Sequence, residues 1–201
     1  MTRILIAEDQ AMVRGALATL LELEDDLEVV AEVSRGDEVL AAAQRVCPDV
    51  ALLDIEMPGE TGLDAAERLA RELPACRVLI LTTFGRPGYL RRAMEGGAAG
   101  FVLKDAPATE LARAIRSAVR GERVVDPGLA AAALSQGVCP LTPREHEVLR
   151  ASREHVTVAD LAAALYLSPG TVRNHLSSAM QKLDARNRAE AIRLAEEQGW
   201  I

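Results

Sequence analysis

The sequence predicts an α/β chain in two parts. Residues 1–121 read as a doubly wound, flavodoxin-like (βα)5 domain, 122–140 as a linker, and 141–201 as a small all-α domain of four helices. Three observations carry that expectation. Through residue 121, five short apolar runs alternate with five stretches of helical spacing, the pattern of βαβ units that bury a parallel sheet between helices. One of these runs, Val50 to Leu53, is apolar throughout and closes on Asp54 before Met57-Pro58-Gly59 turns the chain, as a strand covered on both faces should. Beyond residue 140, cap-then-proline helix starts recur at Thr142-Pro143 and Ser168-Pro169.

In chain order, Ile4 to Ala7 forms the first strand and ends on Glu8-Asp9, after which Met12, Val13, Ala16, Leu17, Leu20 and Leu21 are helically spaced. Leu27 to Val33 is a second strand and Asp37 to Val46 a second helix, ended by Pro48. The third strand delivers Asp54, Thr61 to Leu73 is helical, and Arg77 to Thr82 is the fourth strand. Pro87 to Glu95 is a helix closed by Gly96-Gly97; Gly100 to Lys104 is a short strand; Pro107 to Arg120 is a helix stopped by Gly121. The linker holds two prolines and three glycines in residues 121–140, with only a short Ala-rich piece at Leu129 to Leu134. In the tail, Thr142 with Glu145 three residues on is a capping box, Val158 to Leu165 is capped by Thr157, a third helix runs from Pro169 to Leu183, and Ala189 to Glu197 is the fourth.

Composition sets the class. The chain is 49% hydrophobic but only 2% aromatic, so its cores must be built from Leu, Val, Ile and Ala. No apolar run approaches the roughly 18 residues needed to span a bilayer, so a cytoplasmic protein without membrane insertion is expected. Three scattered cysteines offer no metal spacing. Net charge is −7, and it is uneven: residues 1–121 carry 14 basic and 20 acidic side chains, residues 122–201 carry 9 and 10. That balance argues against a general polyanion binder, yet Ser168 to Arg193 holds five basic residues against two acidic, a local positive face.

In a parallel sheet all strand C-termini share one edge, which brings Glu8, Asp9, Asp54, Thr82 and Lys104 to one rim. Clustered carboxylates without His or Cys favour a hard dication, Mg²⁺. A hydroxyl and an ammonium beside them describe phosphoryl chemistry in which Asp54 is either a metal ligand or the nucleophile. In the tail, a helix, a short turn at Tyr166-Leu167-Ser168 and a second helix bearing Thr171, Arg173, Asn174, His175, Ser178 and Lys182 have the helix-turn-helix arrangement.

Glu8-Asp9, Asp54, Thr82 and Lys104 resemble the acidic pair, phospho-acceptor, switch hydroxyl and lysine of the response-regulator receiver domain. The resemblance implies that Asp54 takes a phosphoryl group from a sensor histidine kinase, with Mg²⁺ held by Asp9, Asp54 and the backbone carbonyl of Glu56, and Glu8 acting mainly through a water. It also implies that Thr82 moves toward the phosphoryl group, that Phe101 turns inward, and that Glu56 and Phe84 tune hydrolysis. The chain has Lys104-Asp105 where the family often has Lys-Pro. The stretches LTPREHEVL and LSPGTVRNHLSSAMQKL resemble the tail of the NarL/FixJ (LuxR-type) regulators. That resemblance implies base contacts from Arg173, Asn174 and Ser177, and phosphate contacts from Thr171, His175 and Lys182, on double-stranded DNA.

It further implies a homodimer on phosphorylation. One pairing face would join the first and fifth helices (Met12, Val13, Ala16 with Leu111, Ala114, Ile115); the other would use the fourth helix and fifth strand. Ala191, Leu194 and Ala195 would pair the tails. Arg153-Glu154-His155 stands where the family usually has a glycine. The stretches IAEDQ, LLDIEMPGETGLDAAE and LTTFGRPGY and the terminal Gly199-Trp200 are similar to family members served by a membrane-bound thermosensing kinase that controls lipid desaturation. A rival reading, a phosphoryl-transfer enzyme with an aspartyl-phosphate intermediate, lacks a second catalytic acid and a substrate-capping domain.

Overall fold

The structure, a computed structural model, describes residues 1–83, 87–135, 139–155 and 157–201. The chain folds as two compact units, the second carrying Leu134–Ile201. In the first unit the strands β1 (Thr2–Ala7), β2 (Leu27–Val33), β3 (Val50–Asp54), β4 (Arg77–Thr82), β5 (Gly100–Leu103) and β6 (Val124–Val125) form one sheet in the order β2-β1-β3-β4-β5-β6. Every pairing is parallel. Helices α1 (Ala11–Glu22), α2 (Val39–Val46), α3 (Gly62–Glu72), α4 (Pro87–Glu95) and α5 (Ala108–Val119) connect the strands, and a 3₁₀ turn at Gly36–Glu38 precedes α2.

Because side chains alternate across a strand, each apolar strand feeds two cores. Leu5, Ala7, Ala51, Leu53, Val78, Ile80 and Phe101 face α2, α3 and α4 through Val39, Leu63, Leu69 and Leu90. Ile4, Ile6, Val50, Leu52, Leu79, Leu81 and Val102 face α1 and α5 through Leu21, Leu111, Ile115 and Ala118. All five residues of β3 are buried, as its uninterrupted apolar run anticipates. Each fully buried Leu or Ile contributes about 1.5–3 kcal/mol.

In the first unit two expectations are corrected. The sixth strand lies inside the stretch taken as linker: Val124 pairs with Gly100 and Val125 with Phe101, and α6 (Pro127–Ser135) follows at once. Leu111, Ala114 and Ile115, which the resemblance offered for one of two pairing faces, are 6%, 4% and 0% exposed and lie on the side of α5 that packs on the sheet. Met12 and Ala16 of α1 are exposed and Val13 is half-buried.

The second unit contains α7 (Pro143–Ala151), α8 (Val158–Ala164), α9 (Pro169–Lys182) and α10 (Arg188–Glu197) around Val148, Leu149, Leu161, Val172, Leu176 and Ala179. Each helix begins with a side-chain cap, from Thr142, Thr157, Ser168 and Asn187. The capping box at Thr142 and Glu145 is complete. Ala191 and Ala195 are both 0% exposed in this core, which removes them from the expected tail-pairing surface and leaves Leu194, half-buried, as the one of the three that reaches solvent.

Candidate functional site

Strand order reverses at the centre of the sheet, where β1 and β3 lie side by side; the crevice beyond their C-terminal ends is where such sheets take ligands. Asp54 closes β3 and Thr82 closes β4, both buried, and Glu8 follows β1 with no exposure at all. Carboxylate oxygens of Glu8, Asp9 and Asp54 all lie within 4.8 Å of one another, with Asp9 the exposed member. Lys104, just past β5, reaches into this group: its Nζ is 2.6 Å from Glu8 Oε2 and 2.9 Å from Asp54 Oδ1. The backbone bond from Lys104 N to the Thr82 carbonyl, 2.8 Å, fixes where the lysine starts.

Asp54 Oδ1 also accepts from the Ile55 amide at 2.8 Å. Burial pushes the Asp54 carboxyl above the usual aspartate range; Lys104 pulls it back, and the charge of Glu8 pushes it up again. For Lys104, burial favours the neutral amine, but the bonds it donates to Glu8 and Asp54 together outweigh it and hold its pKa above the ordinary value. Behind the site Gly62 opens α3, and a Cβ there would stand 1.8 Å from the Asp54 carbonyl oxygen. Only glycine permits that close approach, and the Gly62 amide donates to Ile55 O at 3.0 Å, which keeps the turn after Asp54 closed.

The donor set suits a hard dication: three carboxylates, no nitrogen or sulfur ligand, and a fully buried Glu8 whose Oε2 has the Lys104 ammonium beside it at 2.6 Å. Glu56 follows in the turn with its side chain exposed. Phe101 is already inward, 1% exposed, the orientation that the resemblance reserves for the phosphorylated form. Phe84 lies outside the described residues.

In the second unit Arg173, Asn174 and Ser177 are exposed along α9, whereas Thr171 and His175 are half-buried. Thr171 Oγ1 is 2.8 Å from the Ser168 hydroxyl within the helix cap. Lys182 is exposed and also reaches α7: its Nζ is 2.6 Å from Glu145 Oε2, while Ser178 donates to Glu145 Oε1, also at 2.6 Å. Burial alone would raise the Glu145 carboxyl, but Lys182, Ser178 and Thr142 hold it down at about 2. Arg188 donates to the carbonyls of Ser152 and His155 and so braces the turn that lacks a glycine. His146 Nε2 meets the Trp200 carbonyl, tying the C-terminus to α7. Sequence reasoning missed these links from Glu145, Arg188 and His146, which join residues 33 to 54 positions apart without local periodicity.

Residues 4–116 match the response regulator receiver domain, and residues 139–195 match the bacterial regulatory proteins of the luxR family. The chain belongs to the two-component response regulators with a LuxR-type DNA-binding tail. It is 46% identical over its whole length, and the whole of the relative, to the transcriptional regulatory protein DesR of Bacillus subtilis, and 48% identical on the same terms to the uncharacterized transcriptional regulatory protein YvfU of that organism. The response regulator ChrA of a heme-sensing two-component system shares 35% identity and a TM-score of 0.58, covering 99% of this chain and 98% of that one. Among the described residues no helix is long and apolar enough to cross a membrane.

Proposed function

We propose that Asp54 is the phospho-acceptor of this regulator and that its phosphorylation controls how two copies of the α9 helix meet DNA. The observation that carries this reading is the Lys104 ammonium held between Glu8 and Asp54 in a buried carboxylate cluster. Both bonds on Asp54 fall on Oδ1, which leaves Oδ2 to attack phosphorus. Asp9, Asp54 and the Glu56 carbonyl would hold Mg²⁺, with Glu8 behind a water; the ion supplies charge neutralisation for the incoming phosphoryl group. Lys104 can then follow the negative charge from Asp54 to a phosphoryl oxygen, and Thr82 at the end of β4 can donate its hydroxyl there.

The donor is a sensor histidine kinase, and the likeness to DesR suggests a membrane-bound, DesK-like one and control of lipid desaturation. The regulator itself acts in the cytoplasm as a DNA-binding switch rather than as an enzyme. Phosphorylation favours a homodimer. Its α1 face is supported by an exposed apolar stripe at helical spacing, Met12, Ala16, Leu20 and Leu23, of which Met12 is 87% and Leu23 74% exposed. On α5 the large apolar side chain open to solvent is Val119, whereas Leu111, Ala114 and Ile115 are buried. In the tail, Arg173 and Asn174 present the guanidinium and amide that pair with guanine and adenine edges, with Ser177 beside them.

The acceptor is tested by labelling with a phosphohistidine donor in Mg²⁺. Wild type should take up acid-stable, base-labile label and Asp54→Ala none, with unchanged circular dichroism. Labelling of Asp54→Ala at the wild-type level would sink the assignment.

A further inference from the structure

Tyr166 sits in the turn between α8 and α9 with φ of 54°, in the left-handed region. The turn needs that backbone: the Tyr166 amide donates to Ala163 O, and the Leu167 amide to Ala162 O at 2.8 Å, closing α8. A glycine would close the helix in the same way without a strained Cβ. The tyrosine side chain adds nothing to the packing, since the residue is 96% exposed, more than any other large apolar side chain among the described residues. Here a bulky residue is kept at a strained position and its ring is given wholly to solvent. Two residues on, Ser168 caps α9, and Ser168, Pro169, Gly170, Arg173, Asn174 and Ser177 are all exposed.

We infer that Tyr166 extends the DNA interface: its phenolic O–H donates to a backbone phosphate flanking the bases that α9 meets. The inference rests on α9 being the recognition helix. In a helix-turn-helix the second helix enters the major groove by its N-terminal residues, so the turn before it passes along the sugar-phosphate wall. Tyrosine hydroxyls are among the groups that bond phosphates there, and such contacts set register and affinity without reading sequence. Because the phenol is neutral, the contact releases no counterion.

The test uses the full chain and two labelled duplexes of equal length, one selected from random DNA by the wild-type protein and one unrelated. Tyr166→Gly should raise the melting temperature of the tail by removing the strain while weakening binding to both duplexes about 3- to 10-fold. Tyr166→Phe should lose most of the same affinity. The ratio of the two affinities and the dependence on salt should stay as in wild type. Arg173→Ala, measured alongside, should lower the affinity ratio.

Tyr166 variants that bind like wild type while Arg173→Ala is impaired would overturn the inference and leave α9 in place. An Arg173→Ala that keeps the wild-type ratio would instead overturn the assignment of α9. Tighter DNA binding by Tyr166→Gly would likewise overturn the Tyr166 contact.

Discussion

A single ammonium decides the character of the receiver site. Glu8 and Asp54 are both buried, and two such carboxylates at one rim repel unless a cation lies between them; Lys104 does so at 2.6 and 2.9 Å. The tail repeats the device at Glu145, whose carboxylate joins α7 to α9 through Ser178 and Lys182 and completes the cap on Thr142. The carboxyl of Glu145 is held at about 2, against 4.5 for an ordinary glutamate, so the unfolded chain binds its proton first as pH falls. The stabilisation is complete above pH 4.5 and is lost as pH drops toward 2. Glu145→Gln should therefore cost the tail about 1–3 kcal/mol at pH 7. In thermal melts its deficit relative to wild type should shrink steadily below pH 4.5. A deficit that stays constant down to pH 2 would show that the charge on Glu145 plays no part.

At the scale of elements, the addition is β6. It covers the edge of β5 beside Phe101, and Val125 and Leu129 pack against the core that holds Phe101, so the start of the connection to the tail is built onto β5. A Cβ on Gly100 would stand 2.5 Å from the Val124 carbonyl oxygen and 2.7 Å from Leu79 Cδ2. Gly100→Ala should destabilise the first unit by about 1–3 kcal/mol in denaturant titrations. It should also speed hydrogen exchange at the Val124 amide, which donates to Ala99 O at 3.0 Å. Unchanged protection there would contradict the pairing.

The five main strands, the helix starts and the strand-end rim were legible in the sequence because their signals are local: apolar runs, caps and prolines. The two residues of β6 carry no period of their own and pair only because β5 is there to receive them. Leu111, Ala114 and Ile115 of α5 turn inward onto the sheet, which the sequence could not show, because apolar spacing says that a helix buries one side, not against what. Asp54, Glu8 and Lys104 could be placed together from strand order alone, whereas the pairing of Lys182 with Glu145 depends on tertiary packing.

At the scale of the molecule, an acidic receiver and a DNA-binding tail are joined in one regulator, with net charge −7 overall and exposed Arg173 and Asn174 on α9. Two tails held together gain affinity through effective concentration with no new contact to DNA, so a receiver that pairs only when phosphorylated controls occupancy. The most direct measurement is sedimentation velocity of the full chain with and without a small-molecule phosphoryl donor and Mg²⁺, for wild type and Asp54→Ala. Wild type should shift from monomer to dimer on addition of the donor, and Asp54→Ala should remain monomeric. A dimer that forms equally in both, or in neither, would contradict the switch.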